Sequence, residues 1–218
     1  STNPNIMSQN KTNFAVPLAF VGMMFFAIGF ALGINSFLIP VLKGALSLPS
    51  GVAYLLLAAT FVPFLIFGYP ASATIAKIGY KRTMALSFLI FAVAFILFVL
   101  SAKLENFILF LIASFVSGAA NAYLQASVNP YITILGPIES AAKRMSIMGI
   151  CNKLAWPVAP LFFALVVADQ TNVQTSDLYL PFYIIIGVFL LLGIISLMAP
   201  LPEVKAAGED ESDTANCP

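Results

Sequence analysis

The sequence predicts an all-α membrane protein: six transmembrane helices, arranged as a 3+3 inverted repeat. Three observations lead there. The 218 residues are 61% hydrophobic and only 9% charged, against about 25% charged in a soluble domain. Six long apolar segments follow one another, at 14–42, 52–75, 82–101, 107–135, 146–168 and 179–199. A weak internal repeat at an offset of 94 residues pairs Asn35 with Asn129 in spans one and four, and Pro63 with Pro157 in spans two and five.

Each segment is long enough for the roughly 20 helical residues that a hydrocarbon core requires. Continuous apolarity rather than period-two alternation argues against barrel strands. Three spans separate the two copies of the repeat, an odd number, so the copies run in opposite senses. That is the arrangement of secondary carriers, which place their sites near the midplane between repeats.

Residues 1–13 are polar and are expected to form a disordered cytoplasmic arm, 14–200 the helical bundle, and 201–218 an acidic cytoplasmic tail or the start of a linker. With the N-terminus inside, the inner side carries Lys11, Lys77, Lys81, Arg82, Lys143, Arg144 and Lys205, and the outer loops only Lys43 and Lys103. This excess places both termini in the cytoplasm. It also accounts for the basic residues as orientation signals on separate loops, so no nucleic acid partner is expected. The chain has no histidine, and its two cysteines, Cys151 and Cys217, form no cluster. Neither a metal nor a cofactor is expected.

Span one carries a stripe of small residues, Gly22, Gly29, Gly33, Ser36 and Pro40, which favours close helix contact, with Asn35 on a different side. In span two, Pro63 and Pro70 mark an irregular helix. The inner turn that follows, "IAKIGYKRT", has Gly79 to reverse the chain and Lys77, Lys81 and Arg82 to anchor it at the interface, and it is also a gating candidate. Span four has Gly118, Asn121, Gln125 and Asn129 at spacings of three and four, with Pro130 removing a backbone donor beside the last of them. The loop "GPIESAAKRMS" repeats the pattern of turn and basic pair. In span five, Gly149, Asn152, Lys153, Trp156 and Pro160 share one side at 100° per residue. Pro130, Pro157 and Pro160 are expected to bend or loosen their helices.

All nine acidic residues fall outside the six spans, and Lys153 is the one ionisable side chain well inside a span. An ammonium there belongs in a water-filled cavity or the bundle interior. A wall with an amide, an ammonium and the chain's single tryptophan suits a sugar: polar groups meet hydroxyls and the indole packs on the apolar ring face. The plainer reading of the same residues is a helix–helix hydrogen bond, a snorkelling lysine and a crevice filled by an aromatic ring.

Four stretches carry a family resemblance: "FFAIGFALGINSFLIP" in span one, "GYKRT" after span two, "AYLQASVNPYITILGP" in span four and "AAKRMSIMGICNKLAW" leading into span five. Over about residues 14–200 the chain resembles the N-terminal six-helix half of the fucose/glucose/galactose permeases, sugar:cation symporters of the major facilitator superfamily. The resemblance implies one half-bundle of the major facilitator fold in a bacterial inner membrane. It also implies a second six-helix half, in cis or in trans, and a monosaccharide carried between the halves by alternating access. Asn129, Pro130 and Asn152 match the family pattern. Ser36 and Gln125 stand where the proton-coupled fucose members have an aspartate and a glutamate, Gly149 where they have a glutamine, and Lys153 departs toward charge.

The expected substrate contacts are Gln125, Asn129, Asn152 and Trp156, with Lys153, Asn121, Ser36 and Asn35 beside them. Ser36 and Gln125 cannot take up and release a proton near neutral pH. Carboxylate-relayed proton symport is therefore not expected, which leaves facilitated diffusion, coupling to sodium through neutral oxygens, or coupling to a proton or sodium housed in the other half. The competing class is a non-transporting sensor or partner subunit derived from a transporter half. An enzyme is not expected, because the spans hold no acid, histidine or metal cluster from which to assemble acid–base chemistry.

Overall fold

A computed structural model describes the backbone of residues 4–134, 138–167 and 173–198, with side chains over 16–34, 36–133, 139–167 and 173–198. The described residues form eight α-helices: α1 (Pro4–Ala45), α2 (Ser50–Ala53), α3 (Leu55–Ile66), α4 (Gly68–Ile78), α5 (Tyr80–Leu104), α6 (Phe107–Ile134), α7 (Ala141–Val166) and α8 (Tyr179–Met198). Two 3-10 turns, Ile138–Ser140 and Thr175–Leu178, precede α7 and α8. Helices satisfy their own backbone groups, as a lipid environment demands. The helix of α1 continues back to Pro4, into the stretch 1–13 that the sequence leaves without a span. Residues 201–218 and the Gly136–Pro137 turn lie outside the described residues.

Five helices are long and apolar enough to cross a membrane, and the second expected span, 52–75, is broken rather than continuous: Ser50–Ile66 and Gly68–Ile78 meet at 54°. Proline explains the break. Pro70 has no N–H to give the Ile66 carbonyl, and its ring would crowd that oxygen. Regular bonding lapses at Phe67 (φ −97°, ψ 5°) and resumes when Ala71 N–H donates to the Phe67 carbonyl at 2.9 Å.

The bent segment still crosses. A methyl placed on Gly22 would touch Met148, one on Gly29 would meet Asn152, and one on Gly33 would meet Trp156. Both sets of numbers rise together, so α1 and α7 run parallel. With α5 and α6 each crossing once, α7 can run parallel to α1 only if the bent segment also crosses, which gives six crossings. The ring pairs between α5 and α8 run the other way, Phe88 with Phe189 and Phe98 with Phe182, as the third and sixth crossings must.

Besides α5, which packs extensively on both α6 and α8, the main helix pairs are α1 with α7 and α3 with α6. The first helix of each three-helix repeat thus packs on the second helix of the other. Glycine sets both approaches: a Cβ on Gly118 would stand 2.0 Å from the Thr60 carbonyl oxygen and 3.0 Å from the Pro63 ring. The α5–α8 pair is filled instead by rings, with Phe91, Phe95 and Phe189 stacked at centroid distances of 4.9 and 5.3 Å. Between lipid-exposed helices such packing replaces the hydrophobic effect as the source of association.

The ends are tied separately. Gly79 joins α4 to α5 at φ 87°, a conformation that a side chain disfavours; Lys81 beside it is half-buried and Arg82 exposed. Buried Arg144 donates from Nε to the Ile132 carbonyl and from a terminal nitrogen to the Thr133 carbonyl, both at 3.0 Å, capping the negative end of the α6 dipole. At the opposite end of the bundle, Thr175 Oγ1 donates to Glu105 at 3.0 Å and Lys103 Nζ sits 5.7 Å from the Tyr179 ring centre.

Candidate functional site

The glycine contacts that pair α1 with α7 fall at Asn152 and Trp156, and they fix the position of the polar wall. A Cβ on Gly29 would lie 1.9 Å from the Asn152 carbonyl oxygen, and one on Gly33 2.4 Å from that of Trp156. With α1 pressed against this side of α7, the side chains of Asn152, Lys153 and Trp156 line an open cavity of about 650 Å³. Gln125 of α6, Leu32 of α1, and Phe61 and Phe64 of α3 complete its lining. That volume falls within the roughly 300–1,000 Å³ of small-molecule sites.

Four expected contacts therefore meet: Gln125, Asn152, Lys153 and Trp156. Asn129 is half-buried and does not line the cavity. Asn121 is 1% exposed and lies beneath Gln125, whose Nε2 donates to its Oδ1 at 3.4 Å. At 100° per residue, Asn121 and Asn129 sit about 80° apart, on either side of Gln125. Only the middle amide of the row reaches the cavity. Ser36 is exposed and lines a separate cavity of about 470 Å³ with Pro40, Lys43, Ser50 and Tyr54. The Asn35 side chain lies outside the described residues.

The prolines take several roles. Pro63 is buried against Gly118, while Pro157 and Pro160 lie within an unbroken α7. Helix α6 continues through Pro130 to Ile134, and the Thr133 hydroxyl donates to the Pro130 carbonyl at 2.6 Å.

The cavity combines hydrogen-bonding amides, one ammonium and an indole with an apolar floor of Leu32, Phe61 and Phe64. Phe61 and Phe64 flank Pro63 at helical spacing, and their ring centres are 5.8 Å apart, but nothing distinguishes them in the sequence from the other phenylalanines. Asn121 Nδ2 and Ser114 Oγ are buried without a hydrogen-bond partner among the described residues.

Comparison with known proteins gives a consistent picture. Residues 20–216 match the family model of the Major Facilitator Superfamily. A protein of Brucella abortus named glucose/galactose transporter is 31% identical over 209 residues, which cover 94% of this chain and 50% of that protein. The L-fucose-proton symporter of Escherichia coli is 22% identical over 220 residues, covering 92% of this chain and 50% of that protein. The crystal structure of the transporter FucP in its outward conformation superimposes with a TM-score of 0.74 at 22% identity, over 88% of this chain and 51% of that one. The chain spans about half the length of the curated relatives it matches.

Proposed function

Because the chain belongs to the Major Facilitator Superfamily, we propose that it forms the N-terminal six-helix half of a secondary transporter in a bacterial inner membrane. The transporter carries a monosaccharide, a hexose or 6-deoxyhexose, by alternating access. The single observation that carries this reading is the convergence of Gln125, Asn152, Lys153 and Trp156, from two different helices, on one cavity. Amides exchange hydrogen bonds with hydroxyls as both donors and acceptors, and the indole face suits the C–H side of a pyranose ring. The cavity is open on one side, where a second six-helix half, in cis or in trans, would close over the sugar.

Relatives named for glucose/galactose transport and for fucose–proton symport favour this substrate class. A cavity built at midspan also favours transport over a non-transporting sensor, which would need no such wall. The excess of basic residues on one side supports a cytoplasmic location for both termini. Gln125 does not titrate, so this half relays no proton at that position. Any coupling to a proton or sodium then rests on other groups.

Uptake of labelled hexose by vesicles containing the chain together with its second half tests the reading. Gln125→Leu is expected to abolish uptake without changing the amount of protein in the membrane; uptake equal to wild type would remove Gln125 from the contact set.

A further inference from the structure

Among the described residues, Lys153 is the one charged group lining the cavity. It stands near the middle of α7, 12 residues after Ala141 and 13 before Val166. At about 1.5 Å per residue, the ammonium's helical position is roughly 18–20 Å from either end. Four methylenes at about 1.5 Å per bond reach roughly 6 Å, so snorkelling to an interface is out of range. The side chain is exposed, which here means exposed to the cavity at midspan.

No carboxylate of the described residues lies near it. Glu105 is held by Thr175, Asp177 closes a capping box with Gln174, and Glu139 sits at the turn before α7. All three are at helix ends. An ammonium inside a span is satisfied by cavity water or by a partner, so a substrate that displaces that water is favoured if it brings the partner itself. The remaining lining groups, Gln125, Asn152 and Trp156, are neutral.

We infer that the cavity selects an acidic sugar, a hexuronate, whose carboxylate pairs with Lys153 while Gln125 and Asn152 bind ring hydroxyls and Trp156 covers the ring. This rests on the proposed sugar transport and keeps its ring class: the carboxylate replaces the C6 hydroxymethyl or methyl group. A single compact ammonium suits a monovalent carboxylate. Among the described residues the lining brings neither an Arg fork nor a helix N-terminus, the usual supplements to a lysine at a phosphate.

The test compares galacturonate with galactose as competitors of labelled hexose uptake, using vesicles that contain the chain with its second half. Galacturonate is expected to compete at least 10-fold better than galactose. Lys153→Gln is expected to weaken galacturonate at least 10-fold, and Lys153→Arg to retain it. Galactose competing as well as or better than galacturonate in the wild type overturns the acidic class while sugar transport stands; this is the result expected if the second half supplies a carboxylate to Lys153. Failure of both sugars to bind overturns the inference together with the function on which it rests. The wild-type comparison decides the question even if a Lys153 variant fails to fold.

Discussion

Gly29 and Asn152 approach so closely that a Cβ on the glycine would stand 1.9 Å from the asparagine carbonyl oxygen. One turn further along, Gly33 and Trp156 repeat the relation at 2.4 Å. The contact between α1 and α7 and the geometry of the cavity are therefore one feature. Gly29→Val is expected to force the helices apart, lowering stability by at least the ~1–3 kcal/mol of an overpacked core and removing sugar binding. Gly149→Ala, where among the described residues no other helix comes within 4 Å of the new methyl, is expected to stabilise α7 by about 0.5–1 kcal/mol. Thermal unfolding in detergent compares the two.

Gln125 meets the cavity where a carboxylate would make uptake titrate. Uptake by the wild type is expected to show no pH step from this position. Gln125→Glu is expected to introduce one, because ionisation would place an anion beside Lys153 in the same lining. The paired Lys153 would then lose its hold on an acidic sugar as pH rises through the new group's pKa, so hexuronate competition should fall toward high pH in the variant alone. Competition measured from about pH 3 to 7 checks the sign, because the adjacent ammonium holds the new carboxyl at or below the free glutamate value of about 4.3.

Asn121 holds Gln125 from beneath through the 3.4 Å amide contact, and its own Nδ2 is buried without a partner among the described residues. Because Gln125 Nε2 is engaged, its Oε1 is left to accept from a sugar hydroxyl. Asn121→Leu removes both the contact and the unsatisfied donor. Affinity is expected to fall about 2- to 13-fold, the worth of one net hydrogen bond of ~0.5–1.5 kcal/mol, while thermal stability is unchanged or higher. A loss of both would instead mark Asn121 as structural only.

Arg144 joins the start of α7 to the end of α6 through two carbonyls and the Ser140 hydroxyl. Arg144→Ala is expected to cost about 1.5–3 kcal/mol, the range for hydrogen bonds to a charged group. Arg144→Lys should recover only part of it, since one ammonium does not reproduce the guanidinium fork. Detergent melting of the three proteins orders them.

The six spans and the small-residue stripe of α1 were legible because lipid imposes length and apolarity, and because glycine is the residue that lets helices touch. Half of the site was legible for a similar reason. Periodicity of 100° put Asn152, Lys153 and Trp156 on one face, and the cavity lies there. The same arithmetic put Asn121, Gln125 and Asn129 in a row, but a row fixes direction only to within about 80°. Which amide is uncovered depends on where α3 and α5 pack. Phe61, Phe64 and Leu32 were invisible because an apolar residue facing a cavity looks in sequence like one facing lipid. The break at Phe67 lies between Pro63 and Pro70, which mark the helix as irregular, yet its 54° angle depends on packing that no local pattern encodes.

Trp156 offers the most direct measurement, since it is the chain's single tryptophan and it lines the cavity. In protein whose second half carries no tryptophan, titration with galactose and galacturonate is expected to shift or quench the Trp156 emission saturably, and Gln125→Leu is expected to abolish the change. Emission that stays constant while the same preparation transports either sugar would place the substrate elsewhere and contradict the assignment of this cavity.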